Sequence, residues 1–195
     1  MHIPTVLDEG HSQHILDLYS RLLKERIIFL FSEINDDIAR LLCSQMIFLN
    51  DQSDKPINIY INSGGGSVHS AIAIIEVMNL IKCEVHTTVL GFAASAASLI
   101  DVSGEKRFMT ANSRKMIHQP LGGARGQATD IDIVAKEINL IRTYINNIYV
   151  TQSKLSYDVI LSLTDRDTYL SSTQCLEYGF IDEIIGKFIP LTPIK

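Results

Sequence analysis

The sequence predicts an α/β protein with a largely parallel sheet, and two observations support this prediction. Short apolar runs rich in β-branched residues alternate with longer stretches whose apolar positions recur every three or four residues. Each apolar run is followed by enough residues for a crossover helix, which is the connection that parallel strands require. The chain has 195 residues, so a single domain can build a sizeable core around such a sheet.

The first half of the chain supplies three predicted strands. Residues 1–14 include Pro4 and Gly10 and are expected to form a mobile segment, followed by an amphipathic helix that ends near Lys24. Strands and helices then alternate in this order: strand Ile27–Phe31, helix Asn35–Asn50, strand Ile57–Ile61, helix Val68–Ile81 and strand Glu84–Leu90. The last of these strands is predicted to stop at Gly91, where a helix rich in small residues begins.

The second half of the chain contains shorter predicted strands. These lie at Phe108–Met109, Lys115–Ile117 and Phe180–Ile185, and a short helix is expected over Tyr157–Leu163. Ser171-Ser172-Thr173-Gln174 has the pattern of a capping box, and Gly179 follows the helix that it starts. The sequence shows no interdomain linker, so we expect both halves to belong to one domain of repeated βαβ units.

The helix predicted over Thr129–Val150 has more apolar residues than one buried face needs. Thr129 can cap its N-terminus. A heptad seam comprises Ile131, Val134, Ile138, Ile141, Ile145 and Ile148, and a second apolar row comprises Ala135, Leu140, Tyr144 and Tyr149. The helix is either packed on the sheet or projects to pair with another subunit. Its wide apolar coverage favours the projecting helix.

Composition and charge exclude several classes of partner. The formal net charge is −5 and the basic residues are scattered, so no nucleic acid partner is expected. No apolar run reaches the roughly 18 residues of a membrane-spanning helix, and the N-terminus lacks a secretory signal pattern. Cys43, Cys83 and Cys175 lie in apolar surroundings, which indicates reduced thiols in a cytoplasmic protein. No Cys/His cluster has zinc spacing, so no metal is expected.

Two segments of small residues lie where chemistry could occur, at the ends of predicted strands. Asn62–Val68 places three consecutive glycines before a helix, which leaves backbone N–H groups free to bind an anion or an oxyanion. Residues 90–100 place four alanines and two serines at another helix start, where a nucleophile can be mounted. The alternatives are a tight turn without a ligand and a buried helix whose serines are incidental.

The candidate catalytic side chains are a serine, a histidine and a carboxylate. His118 stands at the end of an apolar strand directly before a loop, where a general base or a hydrogen-bonded structural histidine could lie. Ser95 is the candidate nucleophile, and Ser98 is a rival one helical turn further on. Either Asp165 or Asp167 could orient the imidazole.

Six segments occur in an order that resembles one protease family. They are Tyr19–Leu30, Tyr60–Gly66, Gly91–Ser95, Met116–Gly123, Gly126–Ile131 and Asp165–Asp167. Together, over about residues 3–185, they resemble ClpP, the family of proteolytic subunits of Clp ATP-dependent proteases. The resemblance implies a single peptidase domain over residues 1–195 with a ClpP/crotonase-like fold. Its N-terminal segment, residues 1–14, would lie on the ring axis, and a handle helix would project over residues 128–155.

The resemblance also implies a role for each site residue. Ser95 corresponds to the nucleophile, His118 to the general base and Asp167 to the third member of a catalytic triad. The other implied positions are the oxyanion hole at Gly66 and Ala96, the contacts to an extended substrate at Val68 and Leu121, and the ring–ring contacts at Asp165 and Arg166.

By resemblance, the chain is a serine endopeptidase subunit that hydrolyses unfolded polypeptides to short peptides and holds no cofactor. Fourteen copies would stack as two seven-membered rings, and a hexameric AAA+ unfoldase of the ClpX, ClpA or ClpC type would supply the ATP dependence. Two alternatives stay open. One is a crotonase-fold acyl-CoA enzyme, and the other is a ring paralogue that is non-catalytic or only conditionally active.

The chain departs from the family pattern at three places. Gly64 stands where the family turn usually has proline, which loosens the turn. The segment Ser95-Ala96-Ala97-Ser98 replaces the Ser-Met-Gly of many relatives. The turn around Gly104 is also shorter, which moves no candidate catalytic residue.

Overall fold

The computed structural model describes residues 3–8 and 14–187, and in these ranges it confirms the α/β fold. The strands are β1 (Thr5–Asp8), β2 (His14–Asp17), β3 (Ile27–Leu30), β4 (Ile57–Ser63), β5 (Val85–Ala94), β6 (Lys106–Thr110), β7 (Arg114–Ile117), β8 (Thr168–Ser171) and β9 (Glu183–Ile185). The helices are α1 (Leu18–Lys24), α2 (Asp36–Gln52), α3 (Val68–Leu80), α4 (Ala96–Val102), α5 (Ala128–Thr151), α6 (Tyr157–Thr164) and α7 (Ser172–Tyr178).

Strands β3 to β9 form one sheet, and its central strands carry the core. Along the sheet the order is β3-β4-β5-β6-β9, with β7 paired to β5 and β8 paired to β7. All these pairs are parallel except β7–β8. Ile57, Ile59 and Ile61 on β4 and Val85 and Val89 on β5 are completely buried. Such continuous burial is typical of parallel strands that are covered on both faces.

The N-terminal region differs from the prediction in its described part. β1 pairs antiparallel with β2, and the N–H of Leu18 donates to the carbonyl of Pro4 at 3.0 Å. The predicted amphipathic helix therefore begins only at Leu18, where the Asp17 carboxylate caps it by accepting from the N–H of Ser20. Residues 1, 2 and 9–13 of the segment expected to be mobile, and the tail from residue 188, lie outside the described residues.

The strand predicted to stop at Gly91 continues to Ala94. Gly91 adopts φ +94°, a conformation that bends the strand without ending it and that other residues rarely adopt. Residues 86–89 of β5 pair with β6, whereas residues 92–94 pair with β7. The register between β4 and β5 shifts at the same level, between Ile61 and Ser63. Besides β4, the strand β5 therefore pairs first with β6 and then with β7, and Ser95 directly follows its last residue.

Helix α5 matches the predicted long helix within one residue at each end. Gln127 is its N-cap and makes no side-chain hydrogen bond, so the predicted cap at Thr129 is wrong. The buried residues of α5 are Ile145, Asn146 and Tyr149, which all lie in its second half. Residues 128–137 in the first half are exposed, and they include the apolar Ile131, Ile133 and Val134. A contact with another subunit through this half stays a prediction.

The C-terminal elements agree with the prediction with two exceptions, and the first is β8, a strand that the sequence analysis did not predict. Ser171 and Gln174 form the reciprocal capping box of α7, and Gly179 ends that helix in the left-handed conformation. The predicted strand Phe180–Ile185 is shorter than expected, because only Glu183–Ile185 pairs with β6. Phe180 precedes this strand as a buried side chain instead.

A buried ion pair joins α4 to β7. The ammonium of Lys115 contacts the carboxylate of Asp101, and both side chains are fully buried. Lys115 also lies over the ring of Phe180, with its nitrogen 5.9 Å from the ring centre. Removing one partner of such a pair leaves an uncompensated charge in the core, which costs far more than the intact pair contributes.

Lys115→Met should lower the free energy of unfolding by about 3–5 kcal/mol, because it strands the Asp101 carboxylate in the core. The double variant Lys115→Met/Asp101→Leu should recover most of this loss, since it buries no charge. Urea denaturation followed by circular dichroism measures both. A double variant that is less stable than Lys115→Met would contradict this account of the pair.

Candidate active site

Ser95 lies at the junction between β5 and α4 in a strained backbone conformation. Its φ of 54° and ψ of −127° are uncommon for any residue other than glycine. Its N–H donates to the carbonyl of Met116 on β7 at 2.9 Å, and its carbonyl accepts from the N–H of Ser98 at 2.9 Å. These bonds hold the hydroxyl at the end of a rigid strand, at the start of a helix.

The strand pairing brings His118 and Asp167 to this hydroxyl. His118 follows β7, which lies beside residues 92–94 of β5. Asp167 precedes β8, whose antiparallel register places Thr168 opposite Ile117. The Nε2 of His118 is 2.7 Å from the Oγ of Ser95, and its Nδ1 is 3.1 Å from the carboxylate of Asp167. The three side chains therefore form one hydrogen-bonded row.

The segment around Asp167 is fastened to the segment around His118. The N–H of Gln119 donates to the carbonyl of Thr164 at 2.6 Å, and its side-chain amide donates to the carbonyl of Asp165 at 2.7 Å. The side chain of His118 is 13 % exposed and that of Asp167 is 58 % exposed. The imidazole is thus partly shielded, whereas the carboxylate faces the surface of this single chain.

The two aspartates on either side of Arg166 have different partners. Asp167 faces His118, whereas the carboxylate of Asp165 lies 3.6 Å from the guanidinium of Arg142 on α5. Arg166 is exposed, and its side chain donates to the carbonyl of Asp165 at 3.2 Å. The residues alone left both carboxylates open, and the family resemblance pointed to Asp167; the structure brings Asp167 to the imidazole.

The glycine turn before α3 packs directly against Ser95. A Cβ on Gly65 would lie 2.8 Å from the Cβ of Ser95, and one on Gly66 would lie 2.2 Å from the carbonyl oxygen of Ile34. Gly66 forms a parallel bridge with Ile34, whose backbone bonds run to Gly65 and Ser67. In such a bridge the N–H of Gly66 itself points to the opposite side. Gly64, by contrast, has open space around it.

A cavity of about 310 Å³ opens beside Ser95 and His118. Gly66 and Ala96 border it, as do Val68 and Leu121. The N–H of Ala96 is the first amide of α4, so the helix itself provides no acceptor for it. The rest of the wall is mostly apolar: beside the polar Ser67 and His69 it comprises Leu99, Pro120, Ile138, Ile141, Ile145 and Tyr149. The cavity can therefore receive an apolar group next to the serine hydroxyl.

Ser98, the rival serine, lies apart from the imidazole. It is completely buried, and its hydroxyl bonds the carbonyl of Ser95 at 2.7 Å and the hydroxyl of Tyr149 at 2.5 Å. Sequence reasoning missed Tyr149 as a site residue, because it appeared only as one apolar position in a long helix. Its spacing of four residues from Ile145, and of eight from Ile141, was the available signal for a shared face.

Within residues 3–8 and 14–187, no group of three or more His, Cys, Asp or Glu side chains could hold a metal ion. No helix in the same ranges is both long enough and apolar enough to cross a membrane.

A comparison with protein families gives an independent finding. The family model described as Clp protease matches residues 10–188, which is nearly the whole chain. The matched range includes Ser95, His118 and Asp167, the residues around the cavity and helix α5.

The glycine turn yields a prediction about stability. Gly66→Ala should lower the free energy of unfolding by about 2–4 kcal/mol, because the added Cβ meets the backbone of Ile34 and φ at this position is +146°. Gly64→Ala is the matched control and should change it by less than about 0.5 kcal/mol, since nothing lies near its Cβ. Urea denaturation compares the two, and equal losses would refute the asymmetry.

Proposed function

The chain belongs to the Clp protease family, and from this membership and the geometry around Ser95 we propose that it is a serine endopeptidase subunit. The observation that carries the proposal is the row of hydrogen bonds from Ser95 through His118 to Asp167. A serine hydroxyl is a weak nucleophile unless a base takes its proton, and the base works best when a carboxylate fixes its ring.

In the proposed reaction, the Oγ of Ser95 attacks the carbonyl carbon of a peptide bond while Nε2 of His118 takes its proton. Asp167 holds the imidazole by its Nδ1–H and stabilises the imidazolium that forms. The N–H groups of Gly66 and Ala96 donate to the oxyanion of the tetrahedral intermediate. His118 then protonates the leaving amine. A water molecule next attacks the acyl carbon while His118 takes its proton, and His118 returns that proton to the Oγ of Ser95 as the acyl group leaves.

The proposed substrate is an extended, unfolded polypeptide. Val68 and Leu121 lie on the border of the cavity, and Leu121 is 86 % exposed, so both can flank a peptide strand that adds to the backbone here. An apolar side chain next to the scissile bond can enter the 310 Å³ cavity. A folded protein cannot present an extended strand to this cleft, which gives a reason for the proposed hexameric AAA+ unfoldase partner.

The proposed assembly is two stacked seven-membered rings of this chain, joined through α5. The apolar side chains that α5 leaves exposed are Ile131, Ile133, Val134, Leu140 and Tyr144. So many exposed apolar side chains on one helix are typical of a subunit interface. Asp165 lies beside Arg142 of the same helix, and Arg166 is the exposed residue between Asp165 and Asp167, so a ring–ring contact there would adjoin the triad.

Ser95→Ala should reduce peptide hydrolysis more than about a thousandfold, because it removes the nucleophile. A fluorophosphonate probe should label the wild-type chain on Ser95, located by mass spectrometry of its peptides. Ser44→Ala is the matched control, since Ser44 is an exposed serine whose hydroxyl bonds only its own helix at the carbonyl of Arg40.

Three outcomes of this experiment would count against the proposal. An adduct on a different serine would refute the nucleophile assignment. No adduct at all would favour a crotonase-type acyl-CoA enzyme. An inactive chain that gains activity only when mixed with a second paralogue would favour a conditionally active ring subunit.

The assembly proposal is tested by Ile133→Glu, which places a charge on the exposed apolar part of α5. Native mass spectrometry should find fourteen copies for the wild type and seven or fewer for the variant, because the charge would have to be buried between rings. Asn147→Glu, which adds the same charge near the other end of α5, should keep the wild-type mass. A wild-type mass for Ile133→Glu would exclude α5 as the ring contact.

A further inference from the structure

Two buried hydroxyl groups behind Ser95 take no part in the proposed reaction. Ser98 on α4 is fully buried, and Tyr149 on α5 is 1 % exposed. Their hydroxyl oxygens are 2.5 Å apart, and the hydroxyl of Ser98 also donates to the carbonyl of Ser95 at 2.7 Å. A continuous chain of hydrogen bonds therefore runs from α5 to the backbone of Ser95.

The direction of these hydrogen bonds follows from the number of protons. Each hydroxyl has one proton, and the carbonyl of Ser95 can only accept. Because Ser98 gives its proton to that carbonyl, Tyr149 must donate to Ser98. Burial raises the pKa of the Tyr149 phenol, and the charge of Asp101 raises it further, while the hydrogen bond with Ser98 acts in the opposite direction. The phenol therefore keeps its proton and stays a donor.

The carbonyl of Ser95 controls the direction of the neighbouring amide. The peptide unit is planar and trans, so the carbonyl of Ser95 and the N–H of Ala96 point in opposite directions within one rigid group. Fixing this carbonyl toward Ser98 in the protein interior aims the N–H of Ala96 the other way, toward the cavity that Ala96 borders. The strained φ and ψ of Ser95 increase the need for such an anchor.

We propose that Ser98 and Tyr149 are positioning residues, which hold the Ser95–Ala96 peptide so that the N–H of Ala96 meets the oxyanion. This inference rests on the proposed function, because it assigns a task to the oxyanion hole of that peptidase. The hydrogen bond from Tyr149 also polarises the Ser98 hydroxyl, because consecutive hydrogen bonds strengthen one another where water is excluded.

Other contacts limit how much activity the loss of these hydroxyl groups should cost. Besides the Ser98 hydroxyl, the carbonyl of Ser95 accepts from the N–H of Ser98 at 2.9 Å and from the N–H of Leu99 at 3.4 Å. Losing the hydroxyl chain therefore loosens the peptide without leaving the carbonyl unpaired. The ring of Tyr149 forms part of the cavity wall and packs edge-on against Phe180, with ring centres 5.7 Å apart. Tyr149→Phe keeps both contacts and removes only the hydroxyl.

The test compares peptide hydrolysis by the full chain carrying Tyr149→Phe with hydrolysis by the wild type. We expect kcat to fall about tenfold with KM unchanged, because the lost interaction acts only on the transition state. A peptide aldehyde, which adds to the Ser95 hydroxyl to form a tetrahedral adduct, should bind about tenfold more weakly. Tyr157→Phe is the matched control, since it removes the same hydroxyl from an exposed tyrosine at the start of α6, outside the cavity wall.

The double variant Ser98→Ala/Tyr149→Phe separates one chain of hydrogen bonds from two independent effects. It should be no slower than Ser98→Ala alone, because breaking either link releases the same carbonyl. Multiplied losses would overturn the proposal. So would wild-type kcat and aldehyde affinity in Tyr149→Phe, or a loss of kcat matched by a lower melting temperature or a smaller native mass.

Measurements on the wild type distinguish a failure of this inference from a failure of the proposed function. A wild-type chain that hydrolyses peptides and is labelled on Ser95, with unimpaired variants, would overturn the positioning role alone. A wild-type chain that neither hydrolyses peptides nor takes the probe would overturn both.

Discussion

The pairing of residues 92–94 of β5 with β7 is the contact on which the candidate site depends. Through it the N–H of Ser95 reaches the carbonyl of Met116, and His118 emerges from β7 beside the serine. β7 then pairs antiparallel with β8, which brings Asp167 to the far side of the imidazole. Three segments that are distant in sequence are thus aligned by backbone hydrogen bonds, which define positions far more tightly than loops could.

That pairing requires β5 to bend, and Gly91 is where it does so. A strand that ended at Gly91 would leave Ser95 without its partner on β7. Without the bend, β5 would stay beside β6 and would not reach β7. The φ of +94° at Gly91 lets the strand leave one neighbour and join another. The site therefore depends on a glycine that carries no chemistry.

Helix α4 is held from behind by polar groups in an otherwise apolar core. Asp101 pairs with Lys115 on β7, and Ser98 bonds Tyr149 on α5. The two contacts tie the helix that follows Ser95 both to the strand that carries His118 and to the helix that forms the cavity wall. Buried polar groups of this kind cost desolvation, and they repay it by fixing one arrangement where apolar side chains would tolerate several. In the proposed peptidase, that arrangement sets the oxyanion hole.

The sequence by itself determined the fold class and most elements, because strand and helix patterns depend on local periodicity. It placed β4, α2, α3 and α5 within a few residues, and it nominated Ser95, His118 and the Asp165–Asp167 segment. The order of the residues left Asp165 and Asp167 both open, and the family resemblance pointed to Asp167, which the structure brings to the imidazole. Only the tertiary structure decided that β5 passes through Gly91 and that Ser98 faces Tyr149. Each of these outcomes depends on strand register or on contacts between residues far apart in the chain. The local pattern of apolar and polar residues does not encode either of them.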